Sequence, residues 1–208
     1  MPDKQPQEVS TEKKNKPNRR QQILEVLAGM LEKNPGERIT TAKLAKEVGV
    51  TEAALYRHFP SKAKMFEGLL DFVDEPVVSR IKLINQEVPG SVERLQRICV
   101  FVLAFAEKNP GMCCLLAGGA LAGEKPKVRQ RPAQFFERIE TQLRQIIREA
   151  EIREQKKPRL TGASGASLLT LNLEGRIHQY VRSEFKSKPT QGWSAHWPVL
   201  ASGLFQTT

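Results

Sequence analysis

Five side chains that suit phosphate binding lie close together in this chain of 208 residues. Tyr56, Arg57 and His58 are consecutive and offer phenol, guanidinium and imidazole donors, and Lys62 and Lys64 add two ammonium groups. Such donors match the oxygens of a nucleic-acid backbone, and a helix starting near residue 61 would add free backbone N–H groups. The alternatives are a solvated basic face for Arg57 and His58 and a half-buried ring for Tyr56.

The residue types that usually carry catalysis or bind metals form no recognisable pattern. The cysteines are odd in number and two of them are adjacent, without ligand spacing to a histidine. The cysteines are Cys99, Cys113 and Cys114, and the histidines are His58, His178 and His196. No carboxylate pair and no phosphate-binding loop stands out. We therefore expect reduced structural thiols, no catalytic residue, no metal and no cofactor, so that the protein is not an enzyme.

The basic cluster belongs to the second of two short predicted helices joined at a glycine. Thr40 or Thr41 can cap the first helix, and Gly49 supplies the left-handed turn that ends it. Thr51 caps the second helix, with the carboxylate of Glu52 favourably placed in its first turn. A helix, a turn containing glycine and a second helix form the arrangement that enters the DNA major groove.

The second helix of this pair is predicted to face the bases. Val50, Leu55 and Phe59 are expected in the core, which leaves the other residues toward the groove. Those residues are Thr51, Glu52, Ala53, Ala54, Arg57 and His58. We expect Thr51 and Glu52 to read base edges, Arg57 to contact either a base edge or a phosphate, alanine methyl groups to meet thymine methyl groups, and Thr40 to contact a phosphate.

Elsewhere, apolar residues repeat every three or four positions, which predicts helices and no strands. Pro76 is expected to interrupt or kink the helix that begins near residue 61, and Pro110 with Gly111 to break a later one. We therefore predict an all-α fold. Its parts are a disordered basic arm at 1–17, a DNA-binding domain at 18–64 with its recognition motif at 40–59, and a helical dimerisation and partner-binding domain at 65–208.

The overall charge favours a polyanionic partner. Lysine and arginine number 33 against 23 acidic residues, which gives a formal charge of +10 and a pI of about 9.7. Double-stranded DNA fits this balance, although a solvated basic surface is the bland alternative. No apolar run approaches the roughly 18 residues of a membrane span, and the N-terminus lacks the apolar core of a signal peptide. We expect a cytoplasmic, nucleoid-associated protein with no membrane partner.

These residues carry a resemblance to a known family. The segment ITTAKLAKEVGVTEAALYRHFPSKAKMF is similar to the DNA-binding domain of the TetR family, whose usual signature after the recognition helix is YxxFxxK. Further segments are FAEKNPG, FERIETQLRQ, and VRSEFKSKPT followed by WP. Together they resemble the nucleoid occlusion factors within that family, over most of residues 18–200.

The resemblance implies an all-helical homodimer that binds palindromic chromosomal sites and the division protein FtsZ, and so prevents Z-ring assembly over the nucleoid. It also implies no enzymatic activity. The positions matching its DNA contacts are Thr40, Thr51, Glu52, Ala53, Tyr56, Arg57, His58 and Lys62. The positions matching its FtsZ surface are Phe72, Arg80, Phe101, Ala104, Lys108 and Asn109.

Two further expectations concern the C-terminal part. Its last two predicted helices, near 134–155 and 167–189, are expected to form a four-helix bundle with a second copy. The segment 117–134 departs from the family, because Pro126 and Pro132 stand where the family is helical. A ligand-responsive TetR-type repressor is the alternative function. Its effector pocket would be lined by Phe101, Phe105, Met112 and Leu116.

Overall fold

The computed structural model describes residues 18–206, so the arm predicted at 1–17 lies outside the described residues. Within 18–206 the chain is helical, apart from turns, loops and one isolated bridge between Pro158 and Phe205. A 3-10 turn, Gly119–Leu121, accompanies the α-helices. The α-helices are α1 (Arg19–Lys33), α2 (Thr41–Val48), α3 (Glu52–His58), α4 (Lys62–Glu87), α5 (Ser91–Lys108), α6 (Pro110–Leu116), α7 (Pro126–Arg129), α8 (Arg131–Arg153), α9 (Gly162–Arg182) and α10 (Trp193–Leu204). The all-α prediction is confirmed.

The turn between α2 and α3 follows from three residues at the helix ends. Thr40, rather than Thr41, caps α2, and its hydroxyl oxygen accepts a hydrogen bond from the Lys43 N–H at 3.2 Å. Gly49 ends α2 with φ of 75°, a left-handed conformation that is costly for residues with a side chain. Thr51 then caps α3 by accepting from the Ala54 N–H at 3.2 Å.

The seven residues of α3 are too few for a stable isolated helix, so tertiary packing must hold it. Leu55 is fully buried and Phe59 is 1% exposed, and both belong to the core that α1 completes with Ile23 and Leu27. The guanidinium of Arg20 lies over the Phe59 ring, 4.4 Å from its centroid. These contacts fix the direction in which the exposed face of α3 points.

Pro76 was expected to interrupt or kink α4; the helix continues through it, so the expected interruption was wrong. Proline cannot donate a hydrogen bond to the carbonyl four residues earlier, which weakens the helix at that point. Val73 and Val77, on either side of Pro76, are both fully buried. Their packing offsets the missing bond, and Pro76 itself is exposed.

The prolines at 110, 126 and 132 begin helices. Each occupies the first or second position of its helix, where the missing N–H has no helical partner in any case. At Gly111, α6 lies against α1 so closely that an added Cβ would be 2.0 Å from the Ala28 carbonyl oxygen. Glycine is therefore required where these two helices meet.

The rest of the chain packs α5, α6 and α8 around α9. The predicted stripes are buried, including Ile98 on α5, Leu143 on α8 and Leu173 on α9. The helix α10 was not predicted from the sequence, although Trp193 and Trp197 bury its inner face. It contains Pro198 and is apolar around much of its surface, so its periodicity is weak.

A buried ion pair joins the start of α5 to the end of α8. Arg94 is 9% exposed and donates to Glu149 at 2.8 Å and to the Ser91 hydroxyl at 3.0 Å. Ser91 in turn donates to Glu154 through its backbone N–H at 2.7 Å. The hydrogen bond from Arg94 is the main cause that lowers the pKa of Glu149 below its ordinary value.

The three cysteines are buried free thiols, as expected for structural residues. Burial raises the pKa of Cys99 and of Cys113 to about 12, and that of Cys114 to about 11. Since the thiolate is the reactive form, these thiols are poor nucleophiles in the folded protein.

Candidate nucleic-acid and partner interfaces

The solvent-facing side of α3 carries most of the side chains predicted to contact DNA. Leu55 and Phe59 turn inward, so the residues between and before them turn outward. Ala54 is half-buried, and the exposed residues are Thr51, Glu52, Ala53, Tyr56, Arg57 and His58. Thr40 is exposed beside this face, at the N-terminus of α2. The structure therefore brings these predicted residues together on one surface.

Hydrogen bonds tie α3 to α2 through side chains of this surface. The Thr41 hydroxyl donates to the Glu52 carboxylate at 2.6 Å, and the Tyr56 hydroxyl donates to the Thr41 oxygen at 3.4 Å. Glu52 thus has a structural role that its sequence position did not reveal. A carboxylate has about four acceptor positions, so one such bond leaves it able to accept from a base.

The hydrogen-bond donors at the C-terminal end of α3 are available for a ligand. Arg57 and His58 are exposed, and neither forms an ion pair with any residue in 18–206. Ser61 caps α4 by accepting from the Lys64 N–H at 3.2 Å. The start of α4 thus lies next to these donors and adds the positive end of its helix dipole.

Lys62 makes contacts that the sequence did not predict. Its ammonium group forms an ion pair with Glu124 at 2.9 Å and donates to the Ile39 carbonyl at 3.4 Å. Its side chain is 26% exposed and that of Glu124 is 10% exposed. Lys62 therefore joins the start of α4 to the loop before α7, and a phosphate would have to compete with Glu124 for the ammonium group.

A second surface lies along the groove between α4 and α5. The groove has a volume of about 340 Å³ and contains two of the residues predicted for partner binding, Arg80 and Phe101. Four further residues line it that sequence reasoning missed. They are Ile84, Gln96, Arg97 and Val100. Val100 is 40% exposed, so the groove combines exposed apolar surface with the guanidinium groups of two arginines.

Three of the other predicted partner residues lie on the same two helices, outside the groove lining. Phe72 is on α4 and is 42% exposed, and Ala104 and Lys108 lie on α5. A connection of three residues makes α4 and α5 antiparallel neighbours, so Phe72 lies toward the Lys108 end and Arg80 toward Phe101. Asn109 is half-buried and donates from its side chain to the Phe105 carbonyl at 2.7 Å, which gives it a role at the end of α5.

The residues suggested for an effector pocket do not line one cavity together. Met112 and Leu116 are buried in the core, whereas Phe101 lies in the α4–α5 groove. A different groove of about 440 Å³ lies between α4 and α8. Val78 and Ile81 contribute apolar surface to it, and the ion pair between Arg138 and Asp74 closes one side.

Two features of the described residues bear on other kinds of function. No group of three or more His, Cys, Asp or Glu side chains in 18–206 is arranged to hold a metal ion. No single helix in that range is long and apolar enough to cross a membrane; α5 and α6 meet both conditions only as a pair, which is bent by 110°.

Comparison with known proteins identifies the family. A model described as bacterial regulatory proteins of the tetR family matches residues 23–69, and the SlmA-like model, described as a tetracyclin repressor-like C-terminal domain, matches residues 90–205. The nucleoid occlusion factor SlmA of Marinomonas sp. (strain MWYL1) is 56% identical over 191 residues, which cover 91% of this chain and 97% of the relative. The chain belongs to the TetR family, in its SlmA branch. The SlmA of Shewanella woodyi is 55% identical over 190 residues, covering 91% of this chain and 96% of the relative.

Solved structures place the fold among TetR-type regulators. FadR from Bacillus subtilis, solved in complex with stearoyl-CoA, superimposes with a TM-score of 0.75 at 16% identity, over 88% of this chain and 98% of that one. FadR from Bacillus halodurans has a TM-score of 0.78 at 15% identity, over 91% and 98% of the two chains. At this identity the likeness concerns the fold alone, whereas the relatives above place the chain in the SlmA branch.

Proposed function

We propose that this protein is a nucleoid occlusion factor that binds palindromic chromosomal sites as a dimer and simultaneously binds FtsZ. Bound in this way, it disrupts FtsZ polymers and Z-ring assembly over the nucleoid. Membership of the SlmA branch supports the cellular role. The exposed face of α3 supports DNA binding, and the α4–α5 groove supports the protein partner.

The observation that carries this proposal is that one helix takes part in both surfaces. The N-terminus of α4 lies beside the cations of α3, and Arg80 on the same helix lines the groove. Lys62 and Arg80 are separated by about 27 Å along α4, at about 1.5 Å of rise per residue. DNA and a second protein can therefore bind one protomer together without overlapping.

The two capping threonines provide a matched test of DNA reading. Thr51 is assigned to the bases and Thr40 to a phosphate, and each accepts a hydrogen bond from a helix N–H at 3.2 Å. Alanine at either site removes an equivalent cap, which costs about 1 kcal/mol of stability. We expect Thr51→Ala to lower the ratio of specific to scrambled duplex binding, and Thr40→Ala to weaken both equally. Equal losses on both duplexes for Thr51→Ala would refute its role in reading bases.

Arg57 and His58 are assigned to the phosphates. Because each phosphate contact contributes about 0.9 to the slope of log affinity against log salt, Arg57→Ala should reduce that slope by about 1.8 for a dimer. It should also weaken binding to every duplex sequence. An unchanged slope, measured by fluorescence anisotropy at several salt concentrations, would place Arg57 away from the phosphates.

Dimerisation is assigned to the outer faces of α8 and α9. Leu168 is 39% and Leu171 is 63% exposed, which leaves apolar surface that a second copy would cover. The α2–α3 motifs of the two protomers, about 34 Å apart, would then match half-sites one turn of DNA apart. Leu171→Arg should give a monomer of about 23 kDa in sedimentation, against about 47 kDa for the wild type. Val199→Arg, at a site on α10 that is 70% exposed, is the control and should remain dimeric.

We assign FtsZ to the α4–α5 groove. The apolar walls and cationic residues of the groove suit an acidic FtsZ segment with apolar side chains. In a polymer sedimentation assay, the wild type with specific DNA should reduce the pelleted FtsZ. Arg80→Glu combined with Lys108→Glu should abolish this effect while DNA binding remains. The control, Arg153→Glu with Lys157→Glu, changes the same charge at the far end of α8. A wild type that leaves the polymer unchanged would refute this assignment.

The ligand-responsive repressor remains the alternative function. The groove of about 440 Å³ between α4 and α8 is the feature that favours it, because it is partly apolar and contacts the helix that leads to the DNA. In that case a small molecule would release the specific duplex and FtsZ would be unaffected. The sedimentation assay therefore separates the two functions.

A further inference from the structure

The segment between the 3-10 turn and α8 carries three cations at alternate positions. Lys125, Lys127 and Arg129 are exposed, and none of them has an acidic partner within 4.0 Å among residues 18–206. Val128, in the same helical turn, is 3% exposed and anchors α7 to the core. We call Lys125, Lys127 and Arg129 the α7 cations. Pro126 and Pro132 are the reason this part of the chain was expected to depart from the family pattern.

Ion pairs hold both ends of this segment against the first turns of α4. Glu124, just before it, pairs with Lys62 at 2.9 Å, and Arg131, just after it, pairs with Asp71 at 2.5 Å. Lys62 and Asp71 lie about 13.5 Å apart along α4. The segment therefore runs beside α4, and its Lys125 end is at the N-terminus of that helix.

That end lies next to the proposed phosphate contacts. The Lys62 ammonium that pairs with Glu124 also contacts the carbonyl of Ile39, the residue before Thr40. Three sites are thus neighbours on one side of the α2–α3 motif: the cap of α2 at Thr40, the cap of α4 at Ser61, and Lys125. Glu124 is 10% exposed and pairs with Lys62 rather than with any of the three exposed cations.

We propose that the α7 cations bind backbone phosphates of DNA flanking the half-site, outside the base pairs read by α3. The inference rests on the proposed DNA binding and extends its surface. A single helical turn places positions 125 and 129 on one side of α7 and position 127 on the opposite side. Of the three, Lys125 and Arg129 therefore supply two phosphate contacts in each protomer. Lysine and arginine both suit this contact, and it carries no sequence preference.

The test varies the DNA flanks and the protein together. Two duplexes are compared, the minimal palindrome that the wild type selects from a random pool and the same palindrome with about ten further base pairs on each side. Four phosphates per dimer at about 0.9 each should make the wild-type slope of log affinity against log salt about 3.6 steeper on the longer duplex. Between 0.05 and 0.2 M salt, that difference corresponds to about a 100-fold greater loss of affinity on the longer duplex.

The variant Lys125→Gln/Lys127→Gln/Arg129→Gln should keep the wild-type slope on the minimal palindrome. It should lose the flank-dependent increment, which is the extra steepness of the salt slope on the longer duplex. The control Arg153→Gln/Lys156→Gln/Lys157→Gln removes the same charge at the opposite end of α8 and should retain the increment. Circular dichroism would verify that both variants fold; all six changed side chains are exposed or partly exposed.

Two results would overturn the inference. One is a flank-dependent increment that persists in the α7 variant, and the other is an equal loss in both triple variants, which would indicate an effect of total charge alone. Failure of the underlying function is distinguishable, because the wild type would then select no palindrome and bind both duplexes like scrambled DNA.

Discussion

The ion pair between Lys62 and Glu124 leads to a prediction in which stability and DNA affinity change in opposite directions. Glu124→Gln keeps the shape of the side chain and removes its charge. In the folded protein the Lys62 ammonium then loses its ionic partner at 2.9 Å but keeps the Ile39 carbonyl at 3.4 Å. The substitution should destabilise the protein and strengthen its binding to DNA.

The stability change follows from the burial of the pair. Exposed ion pairs contribute about 0–1 kcal/mol, whereas breaking a fully buried one costs about 3–5 kcal/mol. With Lys62 at 26% and Glu124 at 10% exposure, the pair lies between these limits, and we expect a loss of about 1–2 kcal/mol. For a chain of this length that is a fall in Tm of about 2–8 °C.

The affinity change has two sources. The ammonium group no longer has to leave a carboxylate to reach a phosphate, and a negative charge close to the DNA is removed. A carboxylate about 7 Å from a phosphate repels it by about 0.6 kcal/mol in water, or about 1.2 kcal/mol for a dimer. We expect roughly fivefold tighter binding at 0.1 M salt, where screening is moderate.

Thermal unfolding and fluorescence anisotropy on the same preparations would measure both changes. The control is Glu93→Gln, which breaks an exposed ion pair with Arg97 on α5 and should alter neither quantity. If Glu124→Gln weakens DNA binding, Glu124 holds Lys62 in position for the DNA rather than competing with it. If stability does not change, the pair does not tie the two parts of the chain together.

Three further changes test the packing and the thiols. Gly111→Ala should cost about 3 kcal/mol or more in chemical denaturation, because its Cβ would lie 2.0 Å from the Ala28 carbonyl oxygen, whereas Gly29→Ala, with nothing within 4 Å, should be neutral or slightly stabilising. Glu149→Gln should lower stability by about 2 kcal/mol at pH 7. Because the folded-state pKa of Glu149 is lowered, that difference should be full above the ordinary pKa of a glutamate and should be lost as pH falls through the lower folded-state pKa, where the Glu149 carboxylate takes up a proton. The three buried thiols should resist iodoacetamide at pH 8 until the protein is unfolded; rapid alkylation of the native state would contradict their raised pKa values.

Much of the fold could be predicted because its signals are local. The caps at Thr40 and Thr51 and the turn at Gly49 depend on residues within four positions of each other, and all three lie where the pattern indicated. Pro76 shows the limit of such reasoning. A proline disfavours a helix locally, but the burial of Val73 and Val77 on either side favours its continuation, and that packing is visible only in three dimensions.

In the candidate interfaces, too, local features could be predicted from the sequence and contacts between distant segments could not. The exposed face of α3 follows from helical periodicity around Leu55 and Phe59, so its members could be predicted one by one. Contacts between distant segments could not, and both the pairing of Lys62 with Glu124 and the bond from Thr41 to Glu52 were missed. The groove residue Val100 was missed because exposed apolar residues on a helix cannot be told from core residues until the neighbouring helix is known.

The position of α4 has a consequence for how DNA and a protein partner affect each other. At its N-terminus, the Lys62 ammonium donates to the Ile39 carbonyl just before the α2–α3 motif. Its C-terminal half, with Arg80, forms one wall of the groove. If DNA binding tilted α4 relative to α5, which is packed into the C-terminal core through Ile98 and Leu103, the width of the groove would change. Thermodynamic linkage makes such an effect reciprocal, so a partner that prefers one width of the groove must change DNA affinity by the same factor. The two surfaces thus need no contact with each other to be coupled.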